Sequence, residues 1–132
     1  MAQLTSHQAN DLANQFLALA QSIGDFRYQH WSDLSEAQHQ QLASQHGLVL
    51  KYGEDILVLS TVLVMNDVSQ SLESIKEVSS QIKSTLGSLA DVQKGINITT
   101  AIVTLGATII SKNPLAVAGA ISGLMTSWKA IG

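Results

Sequence analysis

The side chains best suited to metal chemistry in this 132-residue chain are four histidines, of which His39 and His46 lie seven residues apart on a predicted helix. Metal ligands on a helix usually lie one turn apart with carboxylates close by, and Glu36 is the only acid within one turn of His39. A solvated polar face explains the spacing better than a metal site. We therefore predict that the chain has no metal-binding residues.

The sequence also lacks the patterns on which enzymes usually depend. Glu54 and Asp55 are adjacent, so on a helix they point about 100° apart and cannot act as a facing carboxylate pair. A nucleophile elbow and a phosphate-binding glycine loop are both missing. The densest polar and aromatic cluster consists of Arg27, Tyr28, His30 and Trp31. We interpret this cluster as a corner between helices, and we predict no catalytic residues, no cofactor and no small-molecule substrate.

The composition favours an all-α fold in a single domain. The chain has nine glycines but only one proline, so residues that break helices are scarce. Its length suits one hydrophobic core. Without cysteine, disulfides and thiolate sites are excluded. The polar N-terminus does not resemble a secretory signal, so we expect a cytoplasmic protein, or one secreted without a signal peptide, that could associate with membranes.

Charge is distributed unevenly along the chain. Residues 1–91 contain all ten acids and four bases, a net charge of −6, whereas residues 92–132 contain only three lysines, a net charge of +3. Binding to nucleic acid requires a basic surface that neutralises several phosphates, and the seven lysines and arginines are too scattered to form one. We predict no nucleic-acid partner.

The first half of the chain predicts two amphipathic helices. Apolar residues at helical spacing predict one helix from about Ser6 to Trp31, with Thr5 and Ser6 as candidate N-caps. Asp33 and Glu36 have the spacing of a reciprocal capping box, which predicts that a second helix begins at Asp33.

The middle of the chain predicts one long helix, from about residue 54 to residue 94. The nearly continuous apolar run Ile56–Met65 is locally compatible with a buried strand, but helical periodicity resumes after it, so we interpret it as a helix buried on most faces. Apolar residues then recur every seven positions at Val68, Ile75, Ile82, Leu89 and Ile96. Such a helix would be about 60 Å long. We therefore expect an elongated antiparallel bundle of about four to five helices.

The last third of the chain predicts an apolar helical hairpin. The only charged residue between Gly95 and Trp128 is Lys112, which lies in a Ser-Lys-Asn-Pro turn. The two flanking segments, Ile96–Ile110 and Leu115–Trp128, are shorter than the roughly 20 residues of a typical transmembrane helix. We divide the single domain, residues 1–132, into an amphipathic body, residues 1–94, and a hairpin subregion, residues 95–132.

Several features make the hairpin the candidate contact region. Gly119 and Gly123 form a GxxxG pattern, which lets two helices approach closely in lipid and also occurs in soluble bundles. A row of threonines on the first segment could line a polar path, although a solvent-facing surface explains it better. Trp128 suits either a membrane interface or the cap of a core. The candidate membrane or partner contacts are Ile98, Ile102, Leu105, Ile109, Pro114, Leu115, Gly119, Ile121, Gly123, Leu124 and Trp128.

The order of these segments resembles a known family in its architecture. The long heptad-like segment Val68–Leu89, followed by the apolar region Ile96–Leu124 with its Lys-Asn-Pro tip, resembles the stalk and head of the α-helical pore-forming toxins, the group of cytolysin A and the haemolysin BL components. In that family the head hairpin packs against the helical body in the soluble form and is released onto the membrane. The resemblance therefore implies a membrane-active hairpin.

Two functional hypotheses follow from the sequence. The first is a soluble helical protein with a membrane-active, pore-former-like hairpin, and its partner would be a lipid membrane. The alternative is a non-enzymatic helical-bundle interaction module that forms a homo-oligomer, or binds another protein, through the same hairpin. The directions in which Ile102, Leu105, Ile121 and Leu124 point in the folded chain bear on both hypotheses. Burial of all four against the chain's own helices favours a plain structural role for the hairpin, and a monomer with a buried hairpin leaves both hypotheses open.

Overall fold

The computed structural model describes residues 2–59, 62–65 and 67–129, which form a bundle of five α-helices with one short 3₁₀ helix and a two-stranded ribbon. The elements are β1 (Ala2–Gln3), α1 (Ser6–Gln29), the 3₁₀ helix (Trp31–Asp33), α2 (Glu36–Val58), β2 (Val64–Met65), α3 (Val68–Ser88), α4 (Val92–Ile110) and α5 (Pro114–Lys129). The predicted all-α class and number of helices are therefore confirmed.

The N-cap of α2 lies two residues further along the chain than predicted. The N-cap is Ser35, whose hydroxyl accepts a hydrogen bond from the Gln38 amide at 3.1 Å, while the Gln38 side chain accepts one from the Ser35 amide at 2.9 Å. The predicted capping box of Asp33 and Glu36 is wrong. Asp33 belongs to the 3₁₀ helix instead, and the serine–glutamine pair satisfies the free amides of α2 in the same reciprocal way. At the start of α1, the predicted cap Thr5 is confirmed.

The predicted helix over residues 54–94 is interrupted first after α2. Helix α2 ends at Val58, and Val64–Met65 form strand β2, so the interpretation of Ile56–Met65 as one continuous helix is wrong. Strand β2 pairs antiparallel with β1, and the Leu4 amide donates to the Leu63 carbonyl at 3.0 Å. The helix does not continue to Met65 because a partner from a distant part of the chain is available. Strand β1 supplies the backbone hydrogen bonds that residues around position 64 would otherwise form within a helix.

The second interruption separates α3 from α4. Leu89 has extended backbone angles, φ −76° and ψ 126°, and Asp91 then caps α4 by accepting a hydrogen bond from the Lys94 amide at 3.1 Å. The seven-residue apolar repeat therefore continues across two helices, and the predicted 60 Å rod is wrong. The longest helix, α1, has 24 residues, which corresponds to about 36 Å.

Helix α1 packs against α2 and α3, while α4 packs against α2, and α5 against α4 and α3. The core is apolar and includes the fully buried side chains Phe16, Phe26, Leu12, Leu19, Ile23, Leu42, Ile56, Leu63, Met65, Ile75, Ile82 and Leu86. Every helix thus contributes one face to a single core.

Helices α2 and α4 run in the same direction. The Gln45 side-chain amide donates to the Thr100 hydroxyl at 2.8 Å, and further along both helices the ring of Tyr52 lies against Gly106. These two contacts are seven residues apart on α2 and six residues apart on α4. The C-terminal ends of α2 and α4 therefore lie at the same end of the bundle.

Candidate functional site: the α4–α5 hairpin

The turn between α4 and α5 follows the sequence prediction closely. Helix α4 ends at Ile110, and Lys112 adopts a left-handed conformation with φ 60°. The side-chain carbonyl of Asn113 accepts a hydrogen bond from the Ala116 amide at 3.3 Å, and Pro114 occupies the first position of α5. Proline suits this position because it has no amide hydrogen to leave unpaired. The predicted helical hairpin is confirmed.

Six of the eleven predicted contact residues face the chain's own core. Each has at most 9% of its side-chain surface exposed, and they are Ile98, Ile102, Leu105, Ile109, Ile121 and Leu124. Four of these, Ile102, Leu105, Ile121 and Leu124, are the residues whose burial favours a structural role for the hairpin. Their apolar surface is buried within one copy of the chain.

The remaining apolar candidates lie at the two ends of the hairpin. At the turn, Pro114 is half-buried and Leu115 is 76% exposed. At the other end Trp128 is partly buried against the core, and its indole nitrogen donates to the Thr85 hydroxyl at 3.2 Å. These contacts are those of a residue that caps the core.

The two glycines of the GxxxG pattern line an open groove between α4 and α5. The groove has a volume of about 370 Å³ and is lined by Asn97, Thr100, Ala101, Thr104, Thr108, Ala116, Gly119, Ala120, Gly123, Leu124 and Ser127. A Cβ atom built on Gly119 or Gly123 would have no described neighbour within 4 Å beyond its own stretch of helix. These two glycines therefore leave space that the described part of the chain does not fill.

The glycines of α4 behave differently from those of α5. The ring of Phe26 occupies the position where a side chain on Gly95 would stand, and the ring of Tyr52 does the same at Gly106. Both α4 glycines thus permit close packing inside the bundle. The space beside the α5 glycines remains open on the surface.

The threonine row on α4 forms one wall of the groove, a role that the sequence analysis missed. The Thr100 hydroxyl donates to the Ile96 carbonyl at 3.0 Å, and the Thr104 hydroxyl donates to the Thr100 carbonyl at 3.1 Å. Thr108 bonds to its own helix in the same way. Because these hydroxyl hydrogens are used within α4, the wall offers few donors to a ligand. The four-residue spacing that the threonines share with the glycines was the available signal.

The corner between α1 and α2, next to the 3₁₀ helix, is formed by Arg27, Trp31 and His39. The Arg27 Nε donates to His39 Nδ1 at 3.2 Å, and the guanidinium carbon lies 4.8 Å from the centroid of the Trp31 ring. His39 Nε2 lies 2.9 Å from the Trp31 carbonyl oxygen, which accepts its hydrogen. Within the described ranges, His, Asp and Glu side chains do not form a group of three that could hold a metal ion.

Two further findings concern the chain as a whole. Among the described helices, none combines the length and the apolar character required to cross a bilayer. Comparisons with protein-family models, with curated proteins and with solved structures gave no match.

Proposed function

We propose that this chain is a non-enzymatic interaction module that pairs with a second copy of itself through the groove between α4 and α5. The observation that carries this proposal is the open space beside Gly119 and Gly123 on an otherwise well-packed hairpin. A helix of another copy can approach this face closely, because small residues let two backbones come together.

The energetics of glycine support a partner at this face. Glycine inside a helix costs about 0.5–1 kcal/mol relative to alanine. At Gly95 and Gly106 the aromatic rings of Phe26 and Tyr52 use the space that the missing side chains leave. Among the described residues of one copy, Gly119 and Gly123 have no such compensation. A helix docked in the groove would supply contacts that offset the cost of these two glycines.

A second copy fits the chemistry of the groove. All eleven lining residues are uncharged, so a charged surface would lose hydration there without gaining an ion pair. Helix α5 itself presents small, uncharged residues on the side that lines the groove. A two-fold axis along this face would bring two α4–α5 hairpins together as a four-helix layer.

Pairing through the groove requires less reorganisation than release of the hairpin. Release would expose the six buried hairpin residues, and exposing each such side chain costs about 1.5–3 kcal/mol. The total, on the order of 10 kcal/mol, is comparable to the whole stability of a typical domain. The groove is already open, so pairing leaves the core intact.

The test is the mass of the protein in solution. Sedimentation equilibrium over a range of concentrations should show a dimer for the natural chain and a monomer for the double variant Gly119→Gln/Gly123→Gln. Glutamine is a good helix former, so the variant should keep its helical circular dichroism while its side chains fill the groove. The matched control is Ala118→Gln, which adds the same side chain at an exposed position of α5 outside the groove.

The outcomes are distinct. A dimer that survives in Ala118→Gln and dissociates in the glutamine double variant supports the proposal. A natural chain that stays monomeric at high concentration, or a dimer unaffected by both changes, rejects pairing through this groove.

A second candidate function, association with a membrane surface, is favoured by one specific observation. Val58 is 81% exposed and Leu115 is 76% exposed. Because α2 and α4 run in parallel, both residues lie at the same end of the bundle, beside the exposed Lys112. Apolar side chains next to a lysine suit shallow contact with anionic lipid.

Vesicle co-sedimentation tests this second candidate. The natural chain should sediment with vesicles of mixed neutral and anionic phospholipid, and the Val58→Ser/Leu115→Ser variant should remain in the supernatant. Leu50→Ser, which changes an exposed leucine elsewhere on α2, is the control. Equal sedimentation of all three proteins, or of none, would count against membrane contact at this end.

A further inference from the structure

A larger groove lies on another face of the bundle, between α1 and α3. Its volume is about 700 Å³, nearly twice that of the groove between α4 and α5. The apolar part of its lining comes from Leu12, Leu72 and Ile75. Leu12 and Ile75 are buried, whereas Leu72 is only partly buried. The groove therefore has an apolar floor that the described part of the chain leaves partly uncovered.

The rim of this groove is acidic. Asp11, Glu73 and Glu77 contribute three exposed carboxylates, and Lys76 contributes one ammonium group. The groove between α4 and α5, in contrast, has an uncharged lining. The two surfaces therefore select different ligands, because an acidic rim attracts cations and repels anions.

The groove is elongated along α3. Its lining residues on that helix extend from Leu72 to Gln81, a span of nine residues, which corresponds to about 13.5 Å. This length equals about two and a half turns of a docked helix. The apolar part of the floor lies towards one end of this span, at Leu72 and Ile75 with Leu12 opposite, and charged side chains flank it. An apolar strip with charged edges is the geometry in which grooves bind amphipathic helices.

We propose that the groove between α1 and α3 binds a cationic amphipathic helix of a partner protein. The apolar face of that helix would lie on Leu72 and the floor, and its lysines or arginines would lie beside Glu73, Glu77 and Asp11. The charge of the rim argues for this occupant and against an anionic membrane.

A second copy of the chain is a poor occupant of this groove. Helix α3 has two lysines, but it also has Glu73 and Glu77, so its charges cancel. Helix α4 has only Lys94, and α2 has one lysine against three acids. No described helix is strongly cationic, so the partner is a different protein.

The test uses two synthetic peptides of about 14 residues with leucines at helical spacing. One carries lysines at its remaining positions and the other carries glutamates. Fluorescence anisotropy should show saturable binding of the lysine peptide to the natural chain and no binding of the glutamate peptide. Raising the salt from about 0.05 M to about 0.5 M should weaken the binding, because salt screens exposed charges.

Charge-reversal variants locate the binding. Glu73→Lys/Glu77→Lys should weaken binding of the lysine peptide at least about tenfold, because it reverses the charge of the rim. Glu54→Lys, an exposed change on α2 away from this groove, should leave the affinity unchanged. Circular dichroism checks that both variants remain helical.

Other outcomes would overturn the proposal. These are no binding of the lysine peptide, equal binding of both peptides, or equal affinity in the rim variant and the control. Because these changes lie far from Gly119 and Gly123 in sequence and on other helices, the result is independent of pairing through α5.

Discussion

The ring of Phe26 on α1 lies where a side chain at position 95 would stand, so the absence of a side chain on Gly95 is what lets α4 rest on α1. Tyr52 on α2 has the same relationship to Gly106. Two aromatic rings from the body therefore hold α4 at two points. The orientation of the hairpin, and with it the open face of α5, depends on these contacts.

Replacing Gly95 with alanine should destabilise the chain by about 1–3 kcal/mol, because the new methyl group must displace the Phe26 ring. Gly119→Ala should instead stabilise the isolated chain by about 0.5–1 kcal/mol, because its position is open and alanine is the better helix former. Urea unfolding of dilute protein measures both changes. Similar effects at the two positions would mean that Gly95 is not tightly packed.

The Gln45–Thr100 contact leaves one buried atom unsatisfied. Gln45 is only 9% exposed, and its Oε1 has no hydrogen-bond partner among the described residues. We expect Gln45→Leu to raise the free energy of unfolding by about 1 kcal/mol, because the orphan acceptor costs more than the single hydrogen bond contributes. Gln45→Ala, which also removes packing, should lower it by about 1–2 kcal/mol. A loss of stability in Gln45→Leu would show that the amide is better satisfied than its geometry indicates.

The start of α2 provides a direct comparison between the predicted and the observed cap. Ser35→Ala should cost about 1 kcal/mol, because it removes the oxygen that accepts from the Gln38 amide. Asp33→Ala should change stability by less than about 0.5 kcal/mol, as expected for an exposed position away from the cap. Thermal unfolding followed by circular dichroism measures the stability of both variants. A loss in Ser35→Ala no larger than that in Asp33→Ala would contradict the assignment of the cap to Ser35.

The parts of the fold that local chemistry determines could be predicted from the sequence. The turn at Asn113–Pro114 and the cap at Thr5 follow from side chains that act on their own backbone. The ends of α2 and α3 could not be predicted in this way. The end of α2 depends on the pairing of residues near position 3 with residues near position 64. The periodicity of either segment does not reveal this pairing.

The candidate site could be predicted only in part, because it too depends on tertiary contacts. The sequence identifies Gly119 and Gly123 as a close-packing surface, but Gly95 and Gly106 carry no visible sign that aromatic rings will cover them. Which glycines stay open is a property of the tertiary structure. The groove between α1 and α3 was missed because its acids are separated by some sixty residues along the chain, and only the fold brings Asp11 near Glu73.

Substitution of two leucines in the hairpin, Leu105 and Leu115, compares the contribution of its core face to stability with that of its exposed surface. Leu105 is fully buried and Leu115 is 76% exposed. Leu105→Ala should therefore cost about 2–5 kcal/mol in urea unfolding, whereas Leu115→Ala should change stability by less than about 0.5 kcal/mol. If Leu105→Ala were also neutral, the hairpin would be only loosely attached to the body, and its release onto a membrane would regain the low cost that the toxin resemblance requires. A large loss would mean that any partner meets the hairpin as it is folded here, through its open face.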